Sequence, residues 1–146
     1  MRVFLGGTCN GSTWRDNLIP LLRIDHFNPV VKEWNAEAQE KEKAARASCD
    51  YVLYVITPRM TGVYAIAEAV DDSNKRPDKT ILCVLNHDQD RPDDSSQTMA
   101  RSEAQIKSLE AVKDLVSANG GHVGESLAAV AAFLNGAEEA LSARAD

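Results

Sequence analysis

Aromatic side chains are scarce, at 5% of 146 residues, and there are only three cysteines, Cys9, Cys49 and Cys83. An odd number of cysteines without metal-ligand spacing does not make a disulfide framework or a zinc site, and reads as free thiols in a reducing compartment. His26, His87 and His122 are scattered without metal spacing, so no metal and no cofactor is expected. Long apolar runs are missing: nothing approaches the roughly 18 residues a membrane span needs. The cluster Val3-Phe4-Leu5 is far too short for the core of a signal peptide, so the expectation is a cytoplasmic protein with no membrane partner. Positive charge is also in deficit. With 16 Lys+Arg against 22 Asp+Glu the formal charge is −6, which argues against a nucleic acid polymer as partner.

What is present suits one domain, residues 1–146, large enough to bury a core. Strand-like and helix-like segments alternate. Arg2–Leu5 is a β-prone run stopped by Gly6-Gly7, and Trp14 to Arg23 carries Trp14, Leu18, Leu21 and Leu22 at helical spacing. His26–Val31 is extended around Asn28-Pro29, and Ala36–Ser48 is built of strong helix formers. Tyr51–Ile56 is apolar without alternation, as in a central parallel strand covered on both faces. An Ala-rich helix of about Val63 to Val70 follows, then a polar connector over Asp71–Lys79 and a buried-type strand over Thr80–Leu85. Asn86 to Met99 reads as a long loop. Ser102 to Ala118 is a helix with the stripe Ile106, Leu109, Val112 and Val116. A short edge strand at Gly121–Val123 and a last helix from Ser126 complete the chain. This order predicts a three-layer α/β fold, a flavodoxin- or Rossmann-like, mostly parallel sheet of four to five strands with helices on both faces.

In such sheets ligands bind beyond the carboxyl ends of the strands, where strand order reverses. That address is the meeting of the loop after the first strand, Gly6–Thr13, with the loop after the third, Thr57–Gly62. The first loop combines glycines with the small polar side chains of Thr8, Asn10, Ser12 and Thr13, and glycines let backbone approach a ligand. It is neither a phosphate-binding P-loop nor a dinucleotide fingerprint. The second, with Thr61 and Gly62, leads to Tyr64 and Glu68. Glu68 stands among Ala, Ile and Val early in a helix. It either faces solvent from an amphipathic stripe or points into the cleft as a nucleophile or base. Gln39, Glu42 and Arg46 share a helix face, with Glu42 and Arg46 spaced as a helix ion pair, and Glu40, Lys41 and Lys43 read as a solvated face. Trp14, Trp34, Tyr54 and Tyr64 are candidates to stack on a base, Trp34 and Tyr64 being the better placed.

Val3-Phe4-Leu5-Gly6-Gly7-Thr8, Phe27-Asn28-Pro29 with Trp34, Gln39-x-x-Glu42, Cys49-Asp50-Tyr51-Val52, Thr57-Pro58 and Ile66-Ala67-Glu68 occur in this order. Together they resemble the nucleoside 2-deoxyribosyltransferase-like family, over roughly residues 2–85. The resemblance implies cleavage or transfer at the N-glycosidic bond of a 2'-deoxynucleoside or its 5'-monophosphate. It implies Glu68 as the nucleophile that forms a covalent glycosyl-enzyme, and Glu42, eight residues before Asp50, as the carboxylate that positions or protonates the substrate. Gly7, Thr8, Asn28 and Pro29 match the family's binding elements, and relatives are typically homo-oligomers. The chain departs from the pattern at Ala69-Val70, where Leu-Gly is usual, and at Val30-Val31, where basic residues are frequent. These departures leave room for an alternative, a non-catalytic nucleotide-binding module acting as a sensor or sequestering protein. A flavodoxin-like FMN protein fits less well, for want of an extended Ser/Thr-rich phosphate loop.

Overall fold

The computed structural model describes residues 1–9, 11–88 and 99–145. Five parallel strands form the central sheet: β1 (Arg2–Gly7), β2 (Asp25–Phe27), β3 (Tyr51–Ile56), β4 (Thr80–Val84) and β7 (His122–Gly124). Their order is β2-β1-β3-β4-β7, the doubly wound arrangement with its reversal between β1 and β3. Two further short strands, β5 (His87–Asp88) and β6 (Met99–Ala100), pair antiparallel outside this sheet.

Alternation along each strand divides the core in two. Val3, Leu5, Leu53, Val55, Ile81 and Cys83 face Trp14 and Leu18 of α1 (Trp14–Leu18) and Val130, Ala131 and Leu134 of α5 (Leu127–Ala145). On the other side Phe4, Val52, Tyr54, Ile56 and Leu82 meet Ala45 of α2 (Ala36–Ser48), Ala69 of α3 (Tyr64–Lys75), and Leu109 and Val116 of α4 (Glu103–Ala118). The central strands are buried on both faces, which is why Tyr51–Ile56 has no polar alternation. Asn35 caps α2 by accepting from the Ala38 N–H at 2.9 Å, and Ser102 and Gln105 form a capping box on α4.

Several expected boundaries move. The first helix ends at Leu18 and continues as a 3-10 turn over Ile19–Leu21, because Pro20 has no N–H to carry an α-helix further. The second strand is only Asp25–Phe27. The polar segment after Val70 is no connector: α3 runs through it to Lys75, with Asp72 and Ser73 buried. Its polar side chains find partners inside. The Ser73 hydroxyl donates to the Val70 carbonyl at 2.8 Å and accepts from Asn119 at 2.9 Å, and Asp72 meets two guanidinium groups. Most of the expected 86–99 loop lies outside the described residues, although β5 and β6 bracket it. Among the described residues no helix is long and apolar enough to cross a membrane. All three cysteines are free, Cys49 and Cys83 in the core and Cys9 at the surface.

Candidate functional site

The carboxyl ends of β1 and β3 open onto a cavity of about 590 Å³ at the strand-order reversal. Gly7 closes β1 with φ +112°, and a Cβ built on it would stand 2.1 Å from the Val55 carbonyl oxygen. Only glycine allows β1 to run this close to β3. Thr8, next in the chain, donates its N–H to that same carbonyl at 2.9 Å and accepts from the Thr57 N–H on its hydroxyl, also at 2.9 Å. One nearly buried side chain thus joins the two loops that form the cavity floor.

Of the residues singled out in the sequence, Gly7, Thr8, Pro29, Trp34, Gln39, Glu42, Thr61, Gly62, Tyr64 and Glu68 all line this cavity. Asn28 does not. Its side-chain oxygen accepts from the Val30 N–H at 3.1 Å and shapes the turn that presents Pro29. Asn10 lies outside the described residues. Trp34 and Tyr64 are 58% and 73% exposed and stand at the rim. Trp14 and Tyr54 are core residues instead, the first donating its indole N–H to the Thr8 carbonyl and the second its hydroxyl to Asp72.

Glu68 points inward from α3. Its side chain is 14% exposed, and Oε1 lies 3.1 Å from Arg46 Nη1. Arg46 comes from α2, and its guanidinium reaches Glu68 and Asp72 on α3 instead of forming the expected i,i+4 pair with Glu42. Burial raises the Glu68 carboxyl above the usual range; Arg46 opposes this, while Glu42 and Asp72 add to it. Burial also raises Glu42, against the pull of Arg46 and Arg15. Two carboxyls with elevated proton affinity therefore share one cavity, each sensing the same guanidinium.

Other cavity residues were not evident from the sequence. Lys43 is on the solvated face as expected, its side chain 64% exposed and 3.4 Å from Glu40, and it also borders the cavity. Arg15 is 5% exposed and lies beneath the first loop. Its donors reach the Leu5 carbonyl at 3.2 and 2.8 Å and the Thr8 carbonyl at 2.7 Å, and its guanidinium covers the Trp14 ring at 4.2 Å. Burial lowers its pKa, with Cys9 and Glu42 acting the other way. A helical stripe carrying Trp14 and Leu18 gave no sign that Arg15 would turn under the loop. Val30, Val31, Met60 and Ala65 supply apolar wall. Among the described residues no group of three or more His, Cys, Asp and Glu side chains could hold a metal ion.

Comparison with known proteins adds one finding. A family model described as nucleoside 2-deoxyribosyltransferase like matches residues 1–87, the segment that carries β1 to β4 and all the residues named as lining the cavity. No curated protein matches the chain.

Proposed function

The chain belongs to the nucleoside 2-deoxyribosyltransferase-like family, and from that premise we propose that it cleaves or transfers the N-glycosidic bond of a 2'-deoxynucleoside or its 5'-monophosphate, with Glu68 as the nucleophile. The observation that carries this reading is the presence of Glu68 and Glu42 on two different helices facing one cavity at the strand-order reversal.

Attack of a Glu68 oxygen on C1' forms a glycosyl ester as the C1'–N bond breaks, and the bond's electron pair leaves with the base. Carboxylate charge close to C1' stabilises the oxocarbenium-like character of that step. Glu42, raised by burial, holds the proton that the departing base takes. Water then attacks C1' and releases the sugar, giving a hydrolase, or a second base does so, giving a transferase; in both, Glu42 recovers a proton from the attacking group. The ring faces of Trp34 and Tyr64 offer a stacking surface for the base. A homo-oligomer is part of the proposal, because Val30, Val31, Trp34, Val63 and Tyr64 leave apolar surface exposed around the cavity mouth.

One observation favours the alternative of a non-catalytic nucleotide-binding module: the Glu68 carboxylate is already ion-paired with Arg46, which lowers its nucleophilicity. Incubation with 2-fluoro-2-deoxynucleosides followed by mass spectrometry separates the two. A glycosyl adduct on Glu68, and loss of base release in Glu68→Ala, are the expected results. Thermal stabilisation by nucleosides or nucleotides with no base released supports the binding module instead.

A further inference from the structure

Glu68 and Asp72 are one helical turn apart on α3, so two carboxylates share one face and repel. The side chain of Arg46, from α2, lies between them. Its Nε is 3.1 Å from Asp72 Oδ2 and its Nη1 is 3.1 Å from Glu68 Oε1, so two anions hold one guanidinium at two different nitrogens. Asp72 is 3% exposed and both of its oxygens are occupied. Oδ1 accepts from Arg76 Nε at 3.1 Å, and Oδ2 accepts from Arg76 Nη2 at 3.2 Å, from Arg46 Nε and from the Tyr54 hydroxyl. Arg76 Nη1 also donates to the Arg46 carbonyl at 2.7 Å, tying the end of α3 to the end of α2. Glu68 also lines the cavity.

We propose that Asp72 is a positioning residue for Glu68: by gripping Nε of Arg46 it sets which carboxylate oxygen of Glu68 is held, and how much positive charge that carboxylate feels. The inference rests on the reading of Glu68 as the reacting carboxylate. A lone Arg46 would be free to pair with Glu68 through both of its η nitrogens and to occupy both oxygens. With Asp72 holding Nε, Arg46 meets Glu68 through Nη1, at Oε1. Among the described residues the charged and titratable groups around Glu68 are Glu42, Lys43 and Arg46 on α2, Tyr64 and Asp72 on α3 with Arg76 just after its end, Tyr54 on β3, and Arg15 and Cys9 at the first loop. Among the described residues, only Arg46 is ion-paired with both carboxylates.

The test is the titration of the Glu68 carboxyl itself, followed by carbon-13 NMR of protein labelled at the glutamate side-chain carboxyl, with the resonance assigned by its loss in Glu68→Gln. Asp72→Asn removes an anion that competes for Arg46, so the Glu68 midpoint falls by on the order of half to one pH unit. Arg46→Met removes the cation and moves the midpoint up. Opposite displacements in the two variants are the expected result. An unmoved or raised midpoint in Asp72→Asn overturns the proposal; because Asp72 also repels Glu68 directly, the same substitution is made in Arg46→Met, and a fall there as large as with Arg46 present overturns the proposal as well. Should Asp72→Asn fail to fold, Arg76→Gln probes the same link from its far side: the midpoint rises, and no change there overturns the proposal equally. Base release from 2'-deoxynucleosides and their 5'-monophosphates gives a second readout, with kcat falling about tenfold in Asp72→Asn at unchanged KM. If Glu68→Ala leaves base release intact, the functional reading falls while the titration midpoints still decide the role of Asp72.

Discussion

The hydroxyl of Thr8 accepts a hydrogen bond from the backbone N–H of Thr57 at 2.9 Å, so a single side chain fixes the loop after β1 to the loop after β3. Both groups are buried, Thr8 at 2% and Thr57 at 0% exposure. Thr8→Val keeps the shape and strands the Thr57 N–H, which costs about 1–3 kcal/mol. Thr8→Ser restores the acceptor and most of the loss. Urea unfolding of the two variants measures the difference, and base release is expected to fall with Val and recover with Ser.

Gly7 is irreplaceable for a different reason. Its φ of +112° and the 2.1 Å approach of a built Cβ to backbone oxygen leave no room for a methyl group. Gly7→Ala is expected to lose several kcal/mol, at the severe end of single substitutions, or to yield no folded protein. Gly62 lines the same cavity with nothing within 4 Å of a built Cβ. Gly62→Ala therefore leaves the melting temperature unchanged, and a rise in KM there reports contact between this backbone and substrate.

Trp34 and Tyr64 carry exposed rings at the cavity rim, so their removal leaves no hole in the core. Trp34→Ala and Tyr64→Ala are expected to change stability by no more than about 0.5 kcal/mol. If the rings stack on the base, binding weakens by about 1–3 kcal/mol per base, taking base–aromatic stacking as the guide. Thermal melts combined with nucleoside titrations read the two effects separately, and unchanged affinity would remove both residues from the site.

Stability in acid depends on Asp72. Burial pushes its carboxyl up, but hydrogen bonds from Arg76, Tyr54 and Arg46 hold it below the usual aspartate range. A folded-state pKa below the unfolded one gives stability that is present above the unfolded value and lost as pH falls through the folded one. Glu42 and Glu68 act in the opposite sense. Their raised carboxyls stabilise the fold below the unfolded glutamate value, and this contribution is lost as pH rises through their folded values. Asp72→Asn is therefore expected to flatten the decline in denaturant midpoint below about pH 4, and to lower stability near neutrality by about 3–5 kcal/mol, the cost of breaking a buried ion pair.

Much of the fold was legible in the sequence. The unbroken apolar runs of β3 and β4 mark strands covered on both faces, whereas Gly6-Gly7, expected to stop β1 at Leu5, continue it and pair with Tyr54 and Val55. The polar second half of α3 was not, since Asp72 and Ser73 look solvated until Arg46, Arg76, Tyr54 and Asn119 are seen to satisfy them. Arg15 escaped for a related reason. A long cationic side chain shows its charge in the sequence but not the direction in which its stem is laid.

The sequence by itself determined the α/β order, the strand-order reversal at which a cavity opens, and the family resemblance that singled out Glu68 and Glu42. Those features follow from local periodicity and from motifs that a linear chain displays. Only the tertiary structure decided that Arg46 leaves its own helix neighbour for two carboxylates on α3, that Thr8 ties two loops together, and that Arg15 turns beneath the first loop. Each of these is a choice among partners distant in sequence. The choice is made by which buried donors and acceptors remain to be satisfied once the helices have packed on the sheet.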